Sequence, residues 1–280
     1  MQTADHTPEA ASAAPRQAGR LELELWRDGA TTRPRLAFAS PPLQLSRVRY
    51  DAPEAPGAAS FTLLHLGGVL AGDRAEMRVS LGAGARARVH MAAATQVYRM
   101  PSGDAAHALA LTLGAGAQLE WLAQPLILFG GARFAQRTTI TLAPGARLAL
   151  FDVLAPGRLA RGECCAFARY ESRLEVCDTS GRLLVAERAL LEPERDQPPL
   201  PADTPVPGSL FLLGDMPDAE RLAAALHPAD DPRVGVTVLP NAAGVLVRML
   251  GASPSAVHQA LARLHAQATA IAGSDGARQV

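Results

Sequence analysis

Three segments of the chain share one pattern: VSLGAGARARV from residue 79, LTLGAGAQLEW from 111 and ITLAPGARLAL from 140. Each is a run ending in Leu, a turn containing Gly or Pro, then Gly-Ala and a second run. The middle leucines, Leu81, Leu113 and Leu142, stand 32 and 29 residues apart. A strand–turn–strand unit with this period predicts stacked β layers, each burying a face against its neighbour. A composition with 56 Ala and 24 Gly in 280 residues also allows separate hairpins of the same pattern. Either arrangement makes the region all-β.

The flanking sequence extends that reading. LELELW at 21–26 alternates apolar and polar residues, as a half-buried strand does. RLEVCD at 173–178 and RLLVAERALL at 182–191 flank Thr179-Ser180-Gly181, a hairpin turn. Residues 1–19 have no basic segment followed by an apolar one, so they predict a disordered leader and not an export signal. Six prolines between 192 and 208 predict a loop. Beyond it, SLFLLG at 209–214 predicts a buried strand, and DAERLAAALH at 218–227 a short helix with an acidic start. GVTVLP at 235–240 and GVLVRML at 244–250 predict a strand pair around Asn241. Ser253 as cap and Pro254 as first residue open a final helix in which Val257, Ala260, Leu261, Leu264, Ala268 and Ile271 keep helical spacing, and Gly273 ends it. The expected fold class is all-β dominated, a stacked β-helical or β-layer body with a few C-terminal helices. It occupies one domain over 20–280, with the β body at 20–191, the proline-rich loop at 192–208 and the strand and helix part at 209–272.

Charge removes whole classes of partner. All 27 basic residues are Arg, and 27 acidic residues balance them to a net charge of zero. That leaves no electrostatic footprint for nucleic acid or an anionic membrane. No stretch reaches the roughly 20 consecutive apolar residues of a membrane span. The expected location is the cytoplasm, with Cys164, Cys165 and Cys177 as reduced thiols. A metal pair made of Cys164 and Cys177 is the alternative. The chain has no GxSxG elbow and no HExxH zinc helix, and a P-loop needs a Lys that it lacks. Its seven His include no HxH or HxxxH pair. His258 and His265, two turns apart on the last helix, read as an exposed helix face.

Four stretches nonetheless stand out: LHLGGVLAGD at 64–73, TQVYRM at 95–100, LEWLAQPLILFGGARF at 119–134 and FDVLAPGRLARGE at 151–163. The order of the motifs in them carries a resemblance. GGVLAGD at 67–73 is followed by TQVYR at 95–99, LEWLAQ at 119–124, GAR at 131–133 and GRLARGE at 157–163. In this order and spacing the chain resembles the urease accessory protein UreD (UreH) family. The likeness runs from about Leu21 to the terminal helix, and GVLVRMLG before that helix resembles the family's ending. The chain departs from the family pattern at Leu66, where Pro is usual, at Gln96, where Lys is usual, and in Leu122-Ala123-Gln124-Pro125, where LPQE is usual.

The resemblance implies a non-catalytic maturation factor: a scaffold that binds urease apoprotein with UreF-like and UreG-like partners and assists nickel insertion. It implies no tightly bound cofactor, only nickel in transit, through a water-filled passage inside a β-rich stack. Asp73, Asp152 and Glu163, carboxylates beside glycines or turns, are the candidates for lining that route. Gly67, Gly68, Gly72, Gln96, Tyr98, Arg99, Gln124 and Arg158 are the candidate motif or partner-contact residues. Two rivals stand beside this reading. One is a β-scaffold enzyme using Asp152 or Glu163 with a nearby His, and the other is a structural β-solenoid binding module.

Overall fold

The computed structural model describes residues 17–50, 55–195, 200–216, 218–228, 231 and 233–276, and among these it places seventeen strands and two α-helices. Strands β1 (Ala18–Asp28) and β2 (Thr31–Ser40) form an antiparallel hairpin, and β3 (Leu43–Leu45) follows in the opposite sheet. Four coils come next. The first contains β4 (Ala59–His65) and β5 (Arg74–Leu81), and the second β6 (Arg86–Met91), β7 (Thr95–Val97) and β8 (Ala105–Leu113). The third contains β9 (Gln118–Leu122), β10 (Leu126–Leu128) and β11 (Arg133–Leu142), and the fourth β12 (Arg147–Ala155) and β13 (Arg169–Asp178). The chain then passes through β14 (Leu183–Leu191), β15 (Val206–Gly214), α1 (Ala219–Leu226), β16 (Val234–Val238), β17 (Gly244–Gly251) and α2 (Pro254–Gly276).

Within the coils, strands pair in parallel with their counterparts one coil away. One sheet runs β14-β13-β11-β8-β5-β1-β2, and the other runs β16-β17-β15-β12-β9-β6-β4-β3. A narrow third side joins them, with β10 parallel to both β7 and the end of β12, and Val69 bridging to Val97. The result is a β-solenoid-like stack. Antiparallel strands close both ends: β2 beyond β1, and β14 with β15, β17 and β16 beyond the last coil. They cover the parallel layers, whose open edges would otherwise template association.

The repeated segments are the corners of this stack. In each, the Ala after the turn donates to the carbonyl three residues back: Ala85 to Gly82 (3.1 Å), Ala117 to Gly114 (3.0 Å) and Ala146 to Ala143 (3.1 Å). The residue just before that Ala is Gly84, Gly116 or Gly145, with φ of 64°, 65° and 74°. Side chains avoid that region, so the repeat needs glycine there. The two runs joined by each turn enter opposite sheets, which rules out the separate hairpins. Leu81, Leu113 and Leu142 lie in one register across β5, β8 and β11, all buried, and Leu25 extends the ladder into β1.

Other local signals hold. Asp178 accepts from Ser180 N (2.8 Å) and Arg182 N (3.1 Å) in the turn from β13 to β14. Asp218 caps α1 by accepting from Arg221 N (3.0 Å), and Ser253 caps α2 by accepting from Ala256 N (3.3 Å). Asn241, at φ 57°, turns β16 into β17. Helix α2 seats Val257, Leu261 and Ala268 on the outer face of the second sheet, where Ala149, Phe151 and Val153 meet them.

Boundaries shift in three places. Strand β1 begins at Ala18, so residues 18 and 19 of the expected leader are strand, and residues 1–16 lie outside the described residues. Strand β15 begins at Val206, inside the proline-rich run, of which residues 196–199 lie outside the described residues. Pro207 is tolerated because β12 pairs with β15 only as far as Gly208, leaving one neighbour. Helix α2 continues past Gly273 to Gly276, since one glycine costs a formed helix only about 1 kcal/mol.

Candidate functional site

The space between the two sheets changes character along the strands. Toward the repeat turns, the inward rung of the first sheet is Val79, Leu111, Ile140 and Val176, followed by Leu81, Leu113 and Leu142. Toward the other end the rung is Ala75, His107, Gln136, Ser172 and Ala189, and Glu187 lies on the rung between. From the facing sheet Asp152 points into the same space, and His65 enters it from the end of β4. These polar side chains line an interior cavity of about 110 Å³, with Thr95 and Gln124 at its edge.

The cavity holds polar groups that the protein itself leaves unsatisfied. Gln136 Nε2 donates to Ser172 Oγ (3.2 Å) and reaches Asp152 Oδ2 only at 3.5 Å. The Nε2 atoms of His65 and His107 are buried with no hydrogen-bond partner in the protein, and their rings stand 5.3 Å apart. His107 is held edge-on against Phe134 at 4.9 Å. An unpaired buried polar atom costs about 1–3 kcal/mol, so this stripe works against stability unless water or a ligand enters.

Burial sets the protonation states. It pushes the Asp152 carboxyl up to about 6, with the Glu187 charge adding to the effect and Gln136 and Arg248 opposing it. Burial, with a smaller contribution from His65, drives the His107 imidazole down to about 3. His65 is lowered by burial too, against the Gly67 carbonyl and Asp73. At neutral pH the cavity therefore presents a carboxylate and a neutral imidazole.

Of the three carboxylates singled out in the sequence, only Asp152 lines this cavity. Asp73 is a turn residue: its Oδ1 accepts from Gln17 N (3.2 Å) and its Oδ2 from Leu70 N (2.8 Å), fastening the start of β1 to the loop before β5. Glu163 lies at the surface, where Oε1 accepts from Gly130 N (3.0 Å) and both oxygens engage Arg158, Nη2 to Oε2 at 2.5 Å. The Arg158 bond, ahead of any other cause, holds the Glu163 carboxyl below its usual range.

The motif residues converge elsewhere, at one surface corner. The Arg158 guanidinium lies 4.7 Å over the Phe129 ring, and Phe129 leans on Tyr98 at 5.1 Å. Tyr98 lies flat on Gly68, where a Cβ would stand 2.3 Å from the ring, so only glycine fits. Arg99 packs over Gly131, whose φ of 75° favours glycine. The corner thus unites Gly68, Tyr98, Arg99, Arg158 and Glu163. Gly67 (φ 76°) and Gly72 (φ 90°) turn the loop leading to it. Gln96 is exposed on β7, and Gln124 belongs to the cavity instead.

The helix histidines are not an exposed face. His258 and His265 flank Phe151 at 5.6 and 5.8 Å, and His258 Nε2 is buried. The phase explains it: 258, 261, 265 and 268 fall on one helical stripe with the buried Leu261 and Ala268. Cys164 precedes β13 and Cys177 stands at the far end of that ten-residue strand, so the two thiols are not brought together. All three cysteines are free, and among the described residues no group of three or more His, Cys, Asp or Glu could hold a metal ion.

Fold and cavity together define a capped β-solenoid-like scaffold with a polar interior. Its family follows from comparison with known proteins: the model of the UreD urease accessory protein family matches residues 17–279, and the chain belongs to that family. The urease accessory protein UreD of Haloarcula marismortui is 37% identical over 92% of this chain and 87% of its own length. The urease accessory protein UreD 2 of Streptomyces griseus subsp. griseus is 35% identical over 91% of this chain and 92% of its own. UreD of Anaeromyxobacter sp. is 36% identical, covering 85% and 81%.

Proposed function

We propose that this chain is a non-catalytic, cytoplasmic urease maturation factor that binds urease apoprotein together with UreF-like and UreG-like partners and assists nickel insertion. Nickel is cargo here, not a resident cofactor. Family membership supports the urease role, and the observation that carries the nickel reading is the polar stripe. His65, His107, Gln136, Ser172 and Asp152 occupy inward positions that strand alternation reserves for apolar side chains. Oxygen and nitrogen donors held loosely bind a borderline cation without trapping it. The surface corner around Tyr98, Arg158 and Glu163 is the partner-contact candidate. Asp73 is left to its turn.

One observation favours a second reading, an enzyme: a raised carboxyl, Asp152, in an interior cavity that also holds His65 and His107. The relatives' names, all urease accessory proteins, weigh for the scaffold. A strain lacking this protein is expected to make normal amounts of urease subunits with little nickel in them. Fully nickel-loaded urease in that strain would contradict the proposal.

A further inference from the structure

The loop between β12 and β13 carries adjacent cysteines whose placement is not explained by packing. Cys164 is exposed, and its Sγ lies 3.7 Å from that of Cys165. Cys165 has φ 53°, a left-handed conformation that non-glycine residues seldom adopt, and its N–H donates to Pro156 O (2.7 Å). A strained backbone held in place by its surroundings points to a role for what it positions. Here it positions two thiols side by side, next to Glu163 and its Arg158 partner at the motif corner.

We propose that Cys164 and Cys165 form a reversible oxidation site, closing to a disulfide between neighbouring residues on exposure to a peroxide. Cys164, the exposed thiol, meets the oxidant first. Burial and the neighbouring Cys164 hold Cys165 protonated, its thiol pushed up to about 11. The Cys164 thiolate attacks a peroxide oxygen, so that an S–O bond forms, the O–O bond breaks and hydroxide leaves with the proton shed by the thiol, as water. The Cys165 sulfur then attacks Cys164 sulfur, the S–S bond forms, the S–O bond breaks, and the sulfenic oxygen leaves as water with the Cys165 proton. Two thiols and one peroxide become one disulfide and two waters.

The geometry makes the bond a switch and not a staple. Adjacent Cα atoms are about 3.8 Å apart across a trans peptide, closer than the roughly 4.4–6.8 Å of a relaxed disulfide. The ring is therefore strained and easily reduced, as regulatory disulfides are. It also closes the shortest possible loop, so it removes little entropy from the unfolded chain.

The test uses the intact chain. It is treated with hydrogen peroxide, denatured, alkylated with iodoacetamide and cut with trypsin at Arg161 and Arg169. The peptide 162–169 holds Cys164 and Cys165 but not Cys177. The expected product is this peptide, lighter by two hydrogens and unalkylated, while Cys177 is alkylated in treated and untreated samples alike. Dithiothreitol restores the doubly alkylated form. In Cys164→Ser the lighter peptide disappears. A treated peptide that still takes two alkyl groups, that carries only sulfinic or sulfonic acid, or that is joined to Cys177 or a second chain would overturn the proposal.

Discussion

The same strands build two unlike interiors. At the repeat-turn end, Leu25, Leu81, Leu113 and Leu142 stack in register and fill the space between the sheets. A few residues back along β8, β11 and β13, the inward positions become His107, Gln136 and Ser172, facing Asp152 and leaving a cavity. Hydrophobic burial explains the first end entirely. It cannot explain the second, where buried imidazole nitrogens go unpartnered. One end holds the stack together, and the other is kept polar at a cost in stability, which is what the proposed cargo role would account for.

Substitutions at the two ends should separate. The largest effect belongs to the leucine ladder. Leu113→Ala is expected to cost about 2–5 kcal/mol by opening a cavity in a filled layer, read as a lower urea midpoint, with any loss of urease activation following the loss of folded protein. An unchanged midpoint would break the comparison at its apolar end.

Asp152→Asn is next, and its sign is opposite. The folded carboxyl titrates at about 6 against an ordinary value of 3.8, so the native state holds the proton more tightly than the unfolded chain. The wild type therefore loses stability as pH rises from about 4 to about 6, and Asn does not. The variant should exceed the wild type by about 3 kcal/mol well above pH 6, and the gap should close below about pH 4. Denaturation across that range checks it, and a gap independent of pH would show that Asp152 is not held in a low-dielectric interior. Asp73→Asn gives the smallest effect. Both Asp73 oxygens accept backbone N–H bonds, and an amide can accept only one of them, so about 1 kcal/mol is lost. Nickel loading of urease should stay at the wild-type level, and a selective fall in loading would return Asp73 to the metal route.

Much of the apolar end was legible in the sequence. The repeated Leu–turn–Gly-Ala unit marks the coil, because a positive φ at a fixed place in every corner demands glycine. The caps Asp218 and Ser253 and the Ser180 turn are local hydrogen-bond chemistry, readable from a few neighbours. The motif corner was half legible: the glycines signal close approach, but nothing in TQVYR says that Tyr98 lies on Gly68. The cavity was hidden. His107, Gln136 and Ser172 sit on three strands, and only the register between coils aligns them. The available signal was a polar residue at an inward position of each strand, which requires the register first. His258 and His265 are a plain misreading of helix phase, recoverable from their spacing to Leu261 and Ala268.

The central claim is that the polar stripe serves cargo and not folding, and His107→Leu tests it most directly. The substitution removes a neutral buried imidazole whose Nε2 has no partner in the protein, so the folded state should be as stable as the wild type or more so. Urease matured with this variant at limiting nickel should contain several-fold less nickel, with complex formation unchanged. A variant of undiminished stability that loads urease with nickel as fully as the wild type would contradict the account.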